Sequence, residues 1–148
     1  MGNKLKYTLV ILAVIAIAGV IVLKYVNKAA DDFSDTAPKA TYSFKAIMDK
    51  MSNDTSSLRS LVHELVAVKG VIKKITKDST STRVELGDSS TASSITCQID
   101  DRHQASCSFL KEGQPVCIKG KIAGFNIDLD DLGLGNTLEM NYCSLEKK

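Results

Sequence analysis

The chain has 148 residues, the length of one ordinary domain. Its four cysteines, Cys97, Cys107, Cys117 and Cys143, lie in the last third without a C-x-x-C pair, a spacing poor for zinc. Residues 66–148 balance 9 Lys and 2 Arg against 11 Asp plus Glu, so they lack the basic surplus of a polyanion binder.

The first element is "YTLVILAVIAIAGVIVL", residues 7–23, with no charged side chain; Lys24 interrupts it, and Tyr25 and Val26 extend it. About 20 predominantly apolar residues cross the hydrocarbon core of a bilayer. Lys4, Lys6, Lys24 and Lys28 can snorkel to the headgroups, with Tyr7 and Tyr25 at belt positions. The run is apolar on every face and stands at the N-terminus, unlike a buried core helix. It is longer than a signal-peptide core of about 7 to 15 residues. "VNKAAD" also places Asn27 or Lys28 where cleavage needs a small residue. Lys6 stands where a myristoylation signal needs Ser or Thr. The reading is a cytoplasmic N-terminus at 1–6 and an uncleaved single-pass helix at 7–26 in the cell inner membrane. The C-terminal domain is then extracytoplasmic, since a long domain translocates largely regardless of flanking charge.

Residues 27–42 read as a linker, from the small, polar and charged composition of "NKAADDFSDTAPKAT". Residues 43–64 carry two amphipathic stripes. Phe44, Ile47, Met48 and Met51 follow Ser43, a candidate N-cap, and Leu58, Leu61, Val62 and Leu65 follow "SNDTSS". Their expected role is to cover one end of a β core. Asn53-Asp54-Thr55 matches a glycosylation sequon, a match too short to weigh.

From Leu65 the period becomes strand-like: "LVAVKGVIKKI", "TRVEL", "SITCQI", "PVCIKGKIAG" and "TLEMNYCSL". Between the third and fourth, "DDRHQASCSFLKEG" starts acidic and reaches Gly113, which reads as one short helix. Three strands, a helix and two strands is the order of the five-stranded Greek-key OB-fold barrel, so residues 65–148 are expected to form a mainly β OB-fold domain. "VAVKGVIKKI" (66–75) and "VCIKGKIAGF" (116–125) share a phrase. They would be the strands that meet at closure, with Gly70 and Gly120 where a Cβ would clash. Internal duplication fails, because "TKDSTSTRVEL" and "NIDLDDLGLGN" share nothing in register.

The block "LVHELVAVKGVIKKI…VEL…SITCQID…LKEGQPVCIKGKIAG…NYCSL" resembles the tRNA-anticodon-like (tRNA_anti-like) OB-fold family of membrane-anchored bacterial proteins, especially of Bacteroidetes. The resemblance covers roughly residues 43–145 and the anchor, and includes no catalytic signature. It departs in the longer acidic turn between the last two strands. It implies that the third and fifth strands are neighbours, so that Cys97 and Cys143 face each other, either as a disulfide in an oxidising compartment or as two buried free thiols.

A single-strand nucleic-acid binder on this fold needs a cationic groove and aromatic platforms. Lys69, Lys73, Lys74, Lys77, Lys119 and Lys121 would cluster if the first and fourth strands pair, but only Phe109, Phe125 and Tyr142 are aromatic in 66–148. Nucleic acid is therefore a partner to keep in view rather than the favoured one. "DLDDLGLGNTLE" (128–139) approaches a calcium loop, with Asp128, Asp130, Asn136 and Glu139 at ligand positions. Leu132 breaks it, and strands stand where helices should, so no metal and no cofactor is expected. His63 and His103 form no recognisable catalytic order, there is no P-loop and no G-x-G-x-x-G, and Asp100 and Asp101 suit caps. The expectation is a non-enzymatic, membrane-anchored binding module at the cell envelope. Its partner would be a peptide, protein, glycan or small molecule; nucleic-acid binding and a structural role in a membrane complex are the alternatives. The expected ligand surface comprises Lys69, Lys73, Lys119, Lys121, Phe125, Asn126, Asp128 and Asp130, together with the loop 126–136 and the outer faces of the second and third barrel strands.

Overall fold

A computed structural model of the chain describes residues 13–23, 32–128 and 133–146. The chain divides into two units, Met1–Asp31 and Asp32–Lys148. In the first, residues 13–23 are helical (α1) and every one of them is exposed. Among the described residues no helix is long and apolar enough to cross a membrane; residues 7–12 and 24–26 of the expected span lie outside the described residues.

The second unit is a closed barrel. Its strands are β1 (Ala40–Ser43), β2 (Leu65–Lys77), β3 (Thr82–Gly87), β4 (Ser94–Ile99), β5 (Pro115–Asn126) and β6 (Thr137–Leu145). The sheet order is β1-β2-β3-β4-β6-β5, and β5 pairs back onto β2. The five strands β2 to β6 thus make the expected Greek-key barrel, and β4 and β6 are neighbours. β2 serves both sides of the closure. Leu65–Val71 pair with β5, and Ile72–Lys77 pair with β3 beyond a bulge at Lys73.

The repeated phrase pairs with itself. Val66–Gly70 runs antiparallel to Val116–Gly120, so that Val66 faces Gly120, Gly70 faces Val116, and Val68 meets Ile118 at the centre. Val68 and Ile118 are both fully buried. The two glycines stand at crowded points on the inner side. A Cβ on Gly70 would lie 3.3 Å from Leu86 Cβ, and one on Gly120 would lie 2.5 Å from Cys143 Sγ. Opposite Gly120 the β5–β6 register slips: Lys119 pairs with Ser144 and Lys121 with Asn141. One β5 residue therefore faces two on β6, Tyr142 and Cys143. Tyr142 absorbs the extra residue in a left-handed conformation, φ 54°.

Two helices close one end. α2 (Phe44–Asn53) starts where Ser43 Oγ accepts the Ala46 amide, as its position predicts, and buries Ile47 and Met51. α3 (Thr55–Arg59) is capped by Asp54, whose Oδ1 accepts the Ser57 amide, and buries Leu58. These side chains and Leu61 join one cluster with the barrel interior.

Three expectations need correction. Residues 40–42, placed in the linker, form β1 together with Ser43, and this strand extends the sheet in parallel with Val66–Lys69 of β2. The second stripe is helical only to Arg59, because Leu65 already opens β2. The 100–113 connection is two single-turn 3-10 helices, Asp101–His103 and Ala105–Cys107, in place of one helix. It buries only Cys107 and Leu110, too few apolar positions to hold an amphipathic helix on the barrel. Gly113 does mark a stop, with φ 80° and its amide donated to Ile72 O.

Replacing Gly120 by Ala is expected to destabilise the barrel by about 1–3 kcal/mol through overpacking. Combining it with Cys143→Ala should cost less than the sum of the two single changes, since the second removes the clashing atom. Urea unfolding of the four proteins in the cycle measures this coupling.

Candidate binding surface on the outer face of the barrel

Strands β2, β3, β4 and β6 place alternate side chains outward, and four of these align across the strands. Lys74 pairs with Glu85, Glu85 with Thr96, and Thr96 with Glu139. A second row runs Thr76, Arg83 and Gln98. With Asn141 and Met140 they line an open cleft of about 320 Å³. Two cations alternate with two anions, amides and hydroxyls fill the gaps, and no aromatic side chain is among the lining residues. Among the described residues, none of Lys74, Arg83, Glu85 and Glu139 joins an ion pair. The cleft therefore offers both donors and acceptors in fixed register to a polar ligand. The outer faces of the second and third barrel strands were expected to be the surface. Of the residues that line it, Lys74 belongs to the expected lysine stripe and Glu139 to the calcium-like loop pattern. The others show in the sequence only as polar alternates within β-branched runs.

Of the expected lysine stripe, Lys69, Lys119 and Lys121 share the outer face of the β2–β5 pair, while Lys73 and Lys74 lie beyond it where β2 pairs with β3. Lys69 is exposed beside Cys117. Lys73 lies at the bulge and donates to Thr91 O at 2.7 Å, on the β3–β4 turn. The bulge turns Lys74 into the cleft instead. Lys119 is 4% exposed, its ammonium held by Ser34 O and Thr36 O, both at 2.8 Å, and 3.4 Å from Glu146 Oε2. Two carbonyl acceptors and one ion-paired carboxylate offset the cost of burying that charge. Lys121 stands 5.7 Å over the Phe33 ring.

These partners belong to the segment expected to be a free linker. Residues 32–39 are docked as a strap. Thr36 donates to Phe33 O in a turn, Phe33 meets Tyr142 edge to face at 6.2 Å, and Lys39 bonds Leu65 O through its amide and Glu64 through its side chain. Asp32 Oδ1 lies 3.0 Å from His103 Nε2, so His103 is a docking residue and not a solvated one. Ala67, the outward neighbour of Lys119 across the β2–β5 pair, is fully buried as well. The sequence signal was this small residue between Val66 and Val68, followed by a lysine on the facing row.

The loop expected to face ligand is committed to its own closure. Asp128 Oδ2 accepts the amides of Leu134 and Gly135, and Asn136 Oδ1 accepts the Asp128 amide. Gly135, with φ 71°, lies against the β3–β4 turn, where a Cβ would come within 2.5 Å of the Ala92 carbonyl carbon. Asp130 lies outside the described residues. Glu139 is on β6 and lines the cleft, away from any calcium loop. Among the described residues no group of three or more metal-binding side chains converges. Phe125 packs against the core, and Asn126 ends β5 opposite Thr137. Cys97 and Cys143 are buried free thiols. Burial, and then the Cys97 thiol beside it, push the Cys143 thiol well above its ordinary value.

Truncating Lys119 to Ala leaves the Ser34 and Thr36 carbonyls without their donor and the Glu146 carboxylate without its ion pair. Chymotryptic cleavage after Phe33 should then quicken by at least about tenfold, the equivalent of one lost hydrogen bond. The hydrogen bond with His103, and then the Ser34 amide, hold the Asp32 carboxyl well below the usual carboxylate range. A depressed carboxylate stabilises the docked strap fully above its free pKa, about 4, and that contribution is lost only as pH falls through the lower docked value. The strap is thus expected to stay docked at pH 5 and to loosen under stronger acid. Asp32→Asn should abolish that acid transition in the NMR signals of Phe33 and Tyr142.

The fold has relatives. A lipoprotein of Klebsiella pneumoniae subsp. pneumoniae, described as a candidate nucleic acid binder, superposes with a TM-score of 0.55 at 18% identity, over 72% of this chain and 91% of that one. Likeness at that identity shows the fold alone. An OBody bound to hen egg-white lysozyme gives 0.43 at 16% identity, over 60% and 87% of the two chains. Asparaginyl-tRNA synthetase of Entamoeba histolytica gives 0.40 at 23% identity, over 76% of this chain but 25% of that one. These two superpose too loosely to bear on function. No curated protein matches the sequence. The model of the tRNA_anti-like family matches residues 1–132, and the chain belongs to that family.

Proposed function

We propose that this chain is a non-enzymatic binding module, anchored in the inner membrane by its N-terminal apolar helix, whose barrel works on the extracytoplasmic side. The cleft on β2, β3, β4 and β6 takes a polar ligand of no net charge, a peptide or a glycan. The observation that carries this reading is the alternation of Lys74, Glu85, Arg83 and Glu139 in a cleft without aromatics. A polyanion would meet the two carboxylates and find no base-stacking platform. Anchoring is supported by the uncharged run 7–23 and by the exposure of every apolar residue in 13–23. Nucleic acid is the runner-up, favoured by the description of the Klebsiella lipoprotein. Against it, Lys73, Lys119 and Lys121 are already engaged within the molecule.

The full chain in nanodiscs, presented with peptide and glycan arrays, should retain ligands whose binding changes little with salt. Arg83→Gln or Glu85→Gln should weaken that binding by at least about tenfold. Sub-micromolar binding of a dT oligonucleotide that falls steeply with salt would install the nucleic-acid reading instead. Orientation is tested separately, by protease accessibility. Protease added to the outer side of the inner membrane should digest the barrel, whatever the state of Cys97 and Cys143; a barrel protected until that membrane is opened places it in the cytoplasm.

A further inference from the structure

We propose that the outer face of β5 and β6 around Lys119, Lys121 and Tyr142 is a second binding site, for an acidic, phenylalanine-bearing stretch of a partner protein, and that Asp32–Thr36 occupies it in cis as a displaceable pseudo-ligand. The site is distinct from the cleft. It adjoins it through the Lys121–Asn141 pair but draws on none of the cleft's charged groups.

What the site recognises is legible from what fills it. Lys119 Nζ donates to two main-chain carbonyls, Ser34 O and Thr36 O, a contact any peptide can supply. Selectivity comes from the aromatic ring and the acid. The Phe33 ring sits between the Tyr142 ring edge and the Lys121 ammonium, and the neighbouring Asp32 carboxylate meets His103. The strap reaches these groups from outside the sheet, and its link to the ladder begins only at Lys39. Its hold on this face is thus a handful of side-chain contacts, which an external chain of like composition can reproduce one for one.

Tyr142 is the second observation. It is a non-glycine residue in the left-handed region, it is 43% exposed, and the β6 bulge directs it outward beside Asn141. A bulky residue in that conformation is costly, and such strain gathers at binding sites, where bulges re-aim a side chain. The barrel needs the bulge to seat Cys143 over Gly120, but it does not need a large aromatic at the strained position.

The test uses the full chain in nanodiscs and a fluorescein-labelled peptide with the sequence of residues 32–38. Asp32→Ala/Phe33→Ala removes the strap's two selective side chains and leaves only its main-chain bonds to Lys119. This variant is expected to bind the peptide at least about tenfold more tightly than the wild type, whose tethered strap competes at high effective concentration. Adding Tyr142→Ala should remove the binding. Equal affinity for wild type and double variant, or binding indifferent to Tyr142→Ala, overturns the proposal. Hydrogen exchange on the wild type gives an answer even if the variant misfolds. The Thr36 amide should exchange faster than the β1 amides, as a strap that opens by itself requires; exchange in step with the barrel core overturns the proposal.

Discussion

Closure of the barrel is the constraint on which the other features depend. A small barrel closes only where two strands approach without side chains between them and the core. Here the two strands carry closely similar stretches, Val66–Gly70 and Val116–Gly120, and meet antiparallel about Val68 and Ile118. Gly120 leaves the space that Cys143 Sγ fills, and seating Cys143 there forces one extra residue into β6. That residue is Tyr142, turned outward. Closure also sets Lys119 and Ala67 side by side on the outer row, both of them buried, with the strap accepting the Lys119 ammonium. Inner packing thus decides the outer surface through the two-residue period of the strands.

The outer surface then divides by charge use. On β5 and β6 the cations are spent on the molecule's own chain: Lys119 on two carbonyls and Glu146, Lys121 on the Phe33 ring. In the cleft on β2, β3, β4 and β6 the four lining charges are left open but balanced in sign, Lys74 and Arg83 against Glu85 and Glu139. A run of lysines in sequence became three unrelated environments, because a bulge at Lys73 and a strap over Lys119 separate neighbours that strand pairing alone would gather.

Legibility followed the range of the interactions. Ser43 as a cap, the stripe Ile47–Met51, the five barrel strands and the β2–β5 match rest on local pattern, and each is present. The short helix at 100–113 was inferred from its end signals alone and dissolved into two 3-10 turns, since caps do not stabilise a helix that buries almost nothing. The strap was missed for the converse reason. "DDFSDTAPK" has the composition of a linker, and its docking depends on partners 71 to 85 residues away in the chain, at His103 and Lys119.

By itself, then, the sequence determined the strand order, the closing pair and the apolar N-terminal run, because hydrophobic period and glycine placement act over a few residues. Only the tertiary structure decided which polar side chains share a face. Arg83, Glu85, Gln98 and Glu139 belong to three strands whose relative register is set by the barrel's core. Whether Lys119 greets a ligand or anchors its own chain depended on a segment whose composition offered no reason to stop there.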